Sequence, residues 1–300
     1  MRDEGYLAID SRRFGWRAGL RRKQWWSFEG LDPQQKLYFV FLALQAFPSD
    51  YVSLKVIDYQ HNRRWTEDHL GHFQAAPGEA VNVLAEGKWG QFSIRGRAEE
   101  GWSTDVQTPH VTAHCRQTPQ AAVHRNRLLT QHLDYTIQQF ILNRTEGTVE
   151  FKGQSYSIGG YGYCEHNWGV QPRHSTAYWL HFWCPEMAGV VLNCYYDSGV
   201  PHHYTYLWHQ GEGHYLHSPA QFSFDPAQPD RPSEVRSPDL DLHLHPLINH
   251  HSRMKIPPGI AYIDIDYHEQ LLEVQGMAWI HGQPISIDGL GKLDHNWNRW

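Results

Sequence analysis

The chain has 300 residues, 40% hydrophobic and 14% aromatic, with a formal net charge of −6. That length makes one large domain or two of about 150 residues. The lack of a long basic run argues against nucleic acid as a partner, and no apolar run reaches the roughly 18 residues of a membrane-spanning helix.

The N-terminal "MRDEGYLAID" lacks the apolar core of a signal peptide. "RRFGWRAGLRRK" (Arg12 to Lys23) reads as a solvated segment, with weak peripheral docking to an anionic membrane surface as the functional alternative. Cys115, Cys164, Cys184 and Cys194 form no C-x-x-C pair. They are expected to be free thiols in a reducing, cytoplasmic compartment.

Strand-like runs follow one another along the chain: "KLYFVFLAL" from Lys36, "YVSLKVIDY" from Tyr51, "GQFSIRGRA" from Gly90 and "GTVEFKGQSYSI" from Gly147. "GVVLNCYY" (Gly189 to Tyr196), "AYIDIDYHE" and "LLEVQGMAWIHGQPISI" continue the pattern. The turn clusters "EGLDPQQ", "AAPGEA" and "NRTEGT" are expected to separate strands. "NRT" at Asn143 matches a glycosylation sequon by pattern only. One short helix is expected between Thr118 and Leu133, and the five prolines of His217 to Leu240 mark a surface excursion. Many short strands with turns between them indicate an antiparallel sandwich or barrel.

The chain repeats itself. "GQSYSIGGYGYCEHNW" (Gly153 to Trp168) lies over "GQPISIDGLGKLDHNW" (Gly282 to Trp297) without a gap, at an offset of 129 and with nine identities in sixteen positions. A fainter echo links "WWSFEG" (Trp25 to Gly30) with "YWLHFW" (Tyr178 to Trp183). Each echo opens a block that an acid-His-Asn-Trp motif closes, which implies a duplicated β domain, residues 1–170 and 171–300.

Alternation along a strand puts Tyr163, Glu165 and Asn167 on one face and Cys164, His166 and Trp168 on the other. Beyond the first copy, Tyr195 and Asp197 sit two apart and point one way if their strand continues. An acid, a histidine, a tryptophan and this Tyr-x-Asp pair could converge inside a barrel. An acid in an apolar pocket holds its proton more tightly, and can protonate even an alkene where aromatic faces steady the cation. The bland alternatives are a strand end entering the "DSG" turn and a motif that ties strands together. Cys164 beside His166 reads as core packing rather than a nucleophile pair. His243 and His245 share a strand face, with His250, His251, His202 and His203 elsewhere. No carboxylate or cysteine stands at a telling distance, so no metal site is expected.

"GYGYCEHNWG", with its Trp-rich opening and downstream Tyr-x-Asp, resembles the carotenoid hydratases (hydroxyneurosporene synthases), their AttH-like relatives and the fungal Diels–Alderases. The resemblance implies a mainly β fold of two consecutive lipocalin-like antiparallel barrels with few short helices. It implies a cofactor-independent enzyme acting on a hydrophobic isoprenoid or polyene near the domain interface, by acid-assisted hydration or by cyclisation or isomerisation. It assigns Asp197 as proton donor, Tyr195 and Trp168 as cation-stabilising or orienting groups, and His166 as a positioning group, with Glu165 as the other candidate acid. Tyr163, Asn167, Trp179 and Trp183 are expected to contact substrate. The chain departs from the family at Glu165, where aspartate is usual. The first copy of the motif is expected to face the pocket and the second to lock the C-terminal strand. A non-catalytic carrier of a hydrophobic ligand, and a structural protein with filled barrels, remain open.

Overall fold

The computed structural model describes residues 22–46, 49–71, 73–75, 81–129, 134–171, 174–185, 187–196, 201–256 and 263–299. The chain divides into two compact units, Met1–Gln171 and Pro172–Trp300. The first contains β1 (Arg22–Asp32), β2 (Leu37–Ala46), β3 (Asp50–Asp58), β4 (Arg63–Gly71), β5 (Gln74–Ala75) and β6 (Val81–Gly87). It continues with β7 (Gly90–Arg97), β8 (Gly101–Gln107), β9 (Val111–Pro119), β10 (His124–Leu129), β11 (Asp134–Phe151) and β12 (Gln154–Val170). The second contains β13 (His174–Cys184), β14 (Met187–Tyr196), β15 (His202–His209), β16 (Glu212–Leu216) and β17 (Gln221–Phe222). It ends with β18 (Ser233–Ser237), β19 (Leu240–Ile256), β20 (Ile263–Ile280) and β21 (Gln283–Arg299).

Each unit is one antiparallel sheet curled in the lipocalin-like manner. The first runs β4-β3-β2-β1-β12-β11-β9-β8-β7-β6-β5, with β10 also paired to β11. The second runs β16-β15-β14-β13-β21-β20-β19-β18-β17. In both, the last strand of the unit pairs with the first, so the repeated motif lies in mid-sheet rather than at an edge. Among the described residues there is no helix.

Strand chemistry explains the local structure. In β8 and β9 buried residues alternate with exposed ones, so one face packs and the other meets water. The centre differs: β1 and the second half of β12 are buried on both faces. Phe28, Phe39, Phe41 and Phe92 fill the inner side of the first sheet, and Leu180, Phe182, Leu207 and Leu272 that of the second. Each such side chain contributes about 1.5–3 kcal/mol on burial.

The duplication is visible in the registers. Phe151 faces Gln154 and Ile280 faces Gln283, each closing a hairpin at the offset of 129. Both hairpins turn on two residues with positive φ, Lys152 (50°) with Gly153 (75°) and His281 (51°) with Gly282 (76°), as a type I′ turn requires. "GTVEFKGQSYSI" and "LLEVQGMAWIHGQPISI" are therefore hairpins, not single strands.

Several expectations are corrected. The helix expected over Thr118 to Leu133 does not form where described: β9 runs to Pro119, residues 120–123 are an irregular connection, and β10 covers His124–Leu129. The "NRTEGT" cluster lies inside β11, where buried Asn143 bonds Gln117 and the Phe140 carbonyl at a β-bulge. At 1% exposure Asn143 is closed to glycosylation in the folded chain. The proline-rich excursion carries the short strands β17 and β18. The basic stretch lies outside the described residues up to residue 21. Its last member, Lys23, is buried on β1 and donates to Gln171 at 3.0 Å, so it is not part of a solvated tail.

Candidate functional site: two faces of the repeated motif

β12 carries the first motif between β1 and β11. Gly160 precedes it because a Cβ there would stand 2.2 Å from the Leu31 carbonyl oxygen; at Gly289, its duplicate, the Trp183 oxygen would be met at 2.0 Å. Leu31 and Trp183 are 152 residues apart. The same offset relates the residues facing the motif histidines, Trp26 opposite His166 and Tyr178 opposite His295. The sequence echo had set Trp25 against Tyr178, one residue out of register. Such a slip turns every side chain to the wrong face.

On one face of β12 a polar chain is buried. Glu165 accepts from the Trp25 indole at 2.6 Å and from the Tyr163 hydroxyl at 2.7 Å. Gln139 donates to the Tyr163 oxygen at 2.7 Å, and its own amide oxygen lies 2.7 Å from His124 Nδ1. Burial depresses the His124 pKa to about 4. Tyr135 flanks Trp25, with ring centroids 5.7 Å apart. Asn167, fully buried on this face, accepts from the Gln138 backbone at 3.2 Å and ties β12 to β11.

The opposite face is aromatic. His166 stacks on Trp26 (4.9 Å, 12°) and tilts against Trp168 (4.6 Å, 37°), with Nε2 3.4 Å from Gln24 Oε1. Arg125 lies over Trp168 at 5.8 Å and donates to Gln138. Burial first, then the Arg125 charge, lowers the His166 pKa to about 3, so the imidazole is neutral at neutral pH. Cys164 belongs to this side, in the apolar core. Burial and the charges of Glu165 and Glu29 push its thiol pKa up, which leaves it protonated and unsuited to nucleophilic attack. Glu165 with Tyr163, and His166 with Trp168, thus address opposite sides of one sheet.

In the second copy, Asp294 accepts from Tyr267 at 2.7 Å and pairs with buried Lys292 at 3.0 Å; Lys292 also lies 3.4 Å from Glu269. Lys292 occupies the position of Tyr163. His295 contacts Tyr178 (4.6 Å) as His166 contacts Trp26. The remaining expected residues fall in the second unit. Tyr195, 48% exposed near the end of β14, accepts from Asn193 at 3.0 Å. Trp179 is partly buried, and Trp183 is fully buried with His181 edge-on at 4.9 Å. Asp197 lies outside the described residues.

Sequence reasoning missed Trp25, Gln139 and His124 as partners of the motif. It also missed a second duplicated element: Arg127 grips Asp134 through two 2.8 Å bonds, and Arg253 grips Asp264 at 3.1 and 3.2 Å. A signal existed, since His124-x-x-Arg127 and His250-x-x-Arg253 each precede an aspartate. Connections of unequal length hide it from an ungapped alignment.

No protein-family model and no curated protein matches the chain. Solved structures do. A candidate AttH from Nitrosomonas europaea superposes with a TM-score of 0.65 at 14% identity, over 91% of this chain and 92% of that one. Kievitone hydratase from Nectria haematococca gives 0.61 at 12% identity, over 98% and 95%. CghA with Sch210972 gives 0.63 at 9% identity, over 93% and 88%. The likeness is one of fold. Among the described residues no helix is long and apolar enough to cross a membrane.

Proposed function

We propose that the protein is a cofactor-independent enzyme that acts on a hydrophobic isoprenoid or polyene by acid-assisted hydration, or by cyclisation or isomerisation, with Glu165 as the acid. One observation carries this reading: the residue two before the acid is a neutral phenol, Tyr163, in the first copy and a lysine, Lys292, in the second. In the second copy a buried ammonium group stands 3.0 Å from Asp294. Glu165 instead accepts from a phenol and an indole, and the Tyr163 hydroxyl places an exchangeable proton beside the carboxylate. In a hydration, Glu165 protonates a terminal alkene, the tertiary cation forms next to aromatic rings, and water captures it. The proton lost by that water returns to Glu165. Kievitone hydratase, a neighbour in fold, is by its name a hydratase, which supports the reaction class.

A second reading uses the opposite face. Neutral His166 between two tryptophans makes an aromatic wall without a charge of its own, and Trp168 already carries a guanidinium on its ring. By resemblance, Asp197 is then the proton donor and Tyr195 an orienting group.

Incubation with acyclic carotenoids and shorter terpenoids in oxygen-labelled water tests both. Label should enter a product with the native protein and be lost with Glu165→Gln. Loss in Asp197→Asn alone would transfer the role to Asp197. Ligand bound and recovered unchanged from the native protein would replace the enzyme by a carrier.

A further inference from the structure

We propose that the second unit holds a divalent transition-metal ion of the zinc type between His251, Asp266 and His268. The site is independent of the proposed reaction and of the histidine pair that the sequence singled out. His243 sits 3.5 Å from Glu234, outside any three-ligand group. Among the described residues, His251, Asp266 and His268 form the only group of three or more metal-ligating side chains, with ligand atoms all within 4.8 Å of one another.

The fold builds the group from register. His251 on β19 faces His268 on β20, which faces His295 on β21, so three imidazoles lie abreast on one face. Asp266, two residues before His268, brings a carboxylate to the same face. Its Oδ1 stands 2.7 Å from His251 Nε2 and 3.9 Å from His268 Nε2, and the two imidazoles stack at 4.2 Å and 11°. Zinc takes nitrogen and carboxylate oxygen at about 2.0–2.2 Å, which sets ligand atoms roughly 3–3.5 Å apart. Small side-chain rotations reach that spacing from here. Two imidazoles and one carboxylate suit zinc and its neighbours rather than calcium or magnesium, and three protein ligands leave a coordination position for water.

Two further observations point to a ligand. His268 is 7% exposed and its Nδ1 has no hydrogen-bond partner; the Nδ1 of His295, 8% exposed, is in the same state. A buried nitrogen left this way is costly, and coordination of His268 through Nδ1 would relieve it. The duplication gives the second. At the equivalent positions of the first unit stand Arg125, Gln138 and Thr136, where Arg125 bonds Gln138 directly. All three positions carry metal ligands in the second unit. Arg253 Nη1, 3.7 Å from Asp266 Oδ2, restrains the far oxygen and leaves Oδ1 to the metal.

The test uses chelator-treated full-length protein titrated with Zn(II) by calorimetry, and with Co(II) to read the d–d absorption of a low-coordinate N/O site. One equivalent should bind. His251→Ala and Asp266→Asn should each weaken binding at least about tenfold with unchanged far-ultraviolet circular dichroism, since both side chains are partly exposed. The double variant His243→Ala/His245→Ala should bind as the native protein does. Absence of binding by the folded native chain, or native affinity retained in His251→Ala and Asp266→Asn, would overturn the assignment.

Discussion

His166 makes acid stability a direct test of its surroundings. Its folded pKa is about 3 against an ordinary value of 6.5. The folded value is depressed, so the unfolded chain takes the proton first. The associated stability is complete above about pH 6.5, falls as the pH drops, and stops falling only near the folded pKa. At about pH 5 the unfolded state is favoured by roughly 2 kcal/mol through this residue alone. His124, held near 4, adds a similar amount to the same unit. Together they approach half the stability of a typical domain. Asp58, whose pKa is lowered from 3.8, responds only at lower pH, and the His124 contribution is common to the native protein and a His166 variant. His166→Phe keeps a ring between Trp26 and Trp168 and removes the titration. Urea unfolding of the first unit should be measured at about pH 7.5 and about pH 5. The native protein should lose roughly 2 kcal/mol more than the variant between them. Equal losses would mean that His166 titrates normally and is not buried as a neutral imidazole.

Three further outcomes follow from the packing. Lys292→Met leaves Glu269 and Asp294 close together without their shared cation and should cost about 3 kcal/mol or more, read from denaturant midpoints. Gly160→Ala and Gly289→Ala each drive a methyl group into a facing carbonyl oxygen and should cost about 1–3 kcal/mol in the same assay; a neutral result would mean that the strands stand further apart. Truncation before His295 removes residues paired to both β13 and β20, and should lower the thermal midpoint of the second unit while leaving first-unit unfolding unchanged.

Much of this architecture is legible in the chain. Strand alternation, the ungapped repeat and the split of Tyr163 and Glu165 from His166 and Trp168 all depend on spacing along one strand, where a period of two decides the face. The likeness in fold to the AttH and hydratase structures agrees with the resemblance carried by "EHNWG". What tertiary structure decided is who meets whom across strands. Trp25 reaches Glu165 from 140 residues away, and "NRTEGT" is strand because β9 and β12 pair with it on either side. The Trp-rich echo was misread by one residue, since only the pairing of β1 with β12 and of β13 with β21 sets its register. The histidines of "HLH" were conspicuous in sequence, yet His251, Asp266 and His268 are the ones brought together, by the register of β19 against β20. A pattern along the chain determines which way a side chain points. Its neighbours are set by the hydrogen-bonded register of other strands, which bulges and unequal loops shift without leaving a periodic trace.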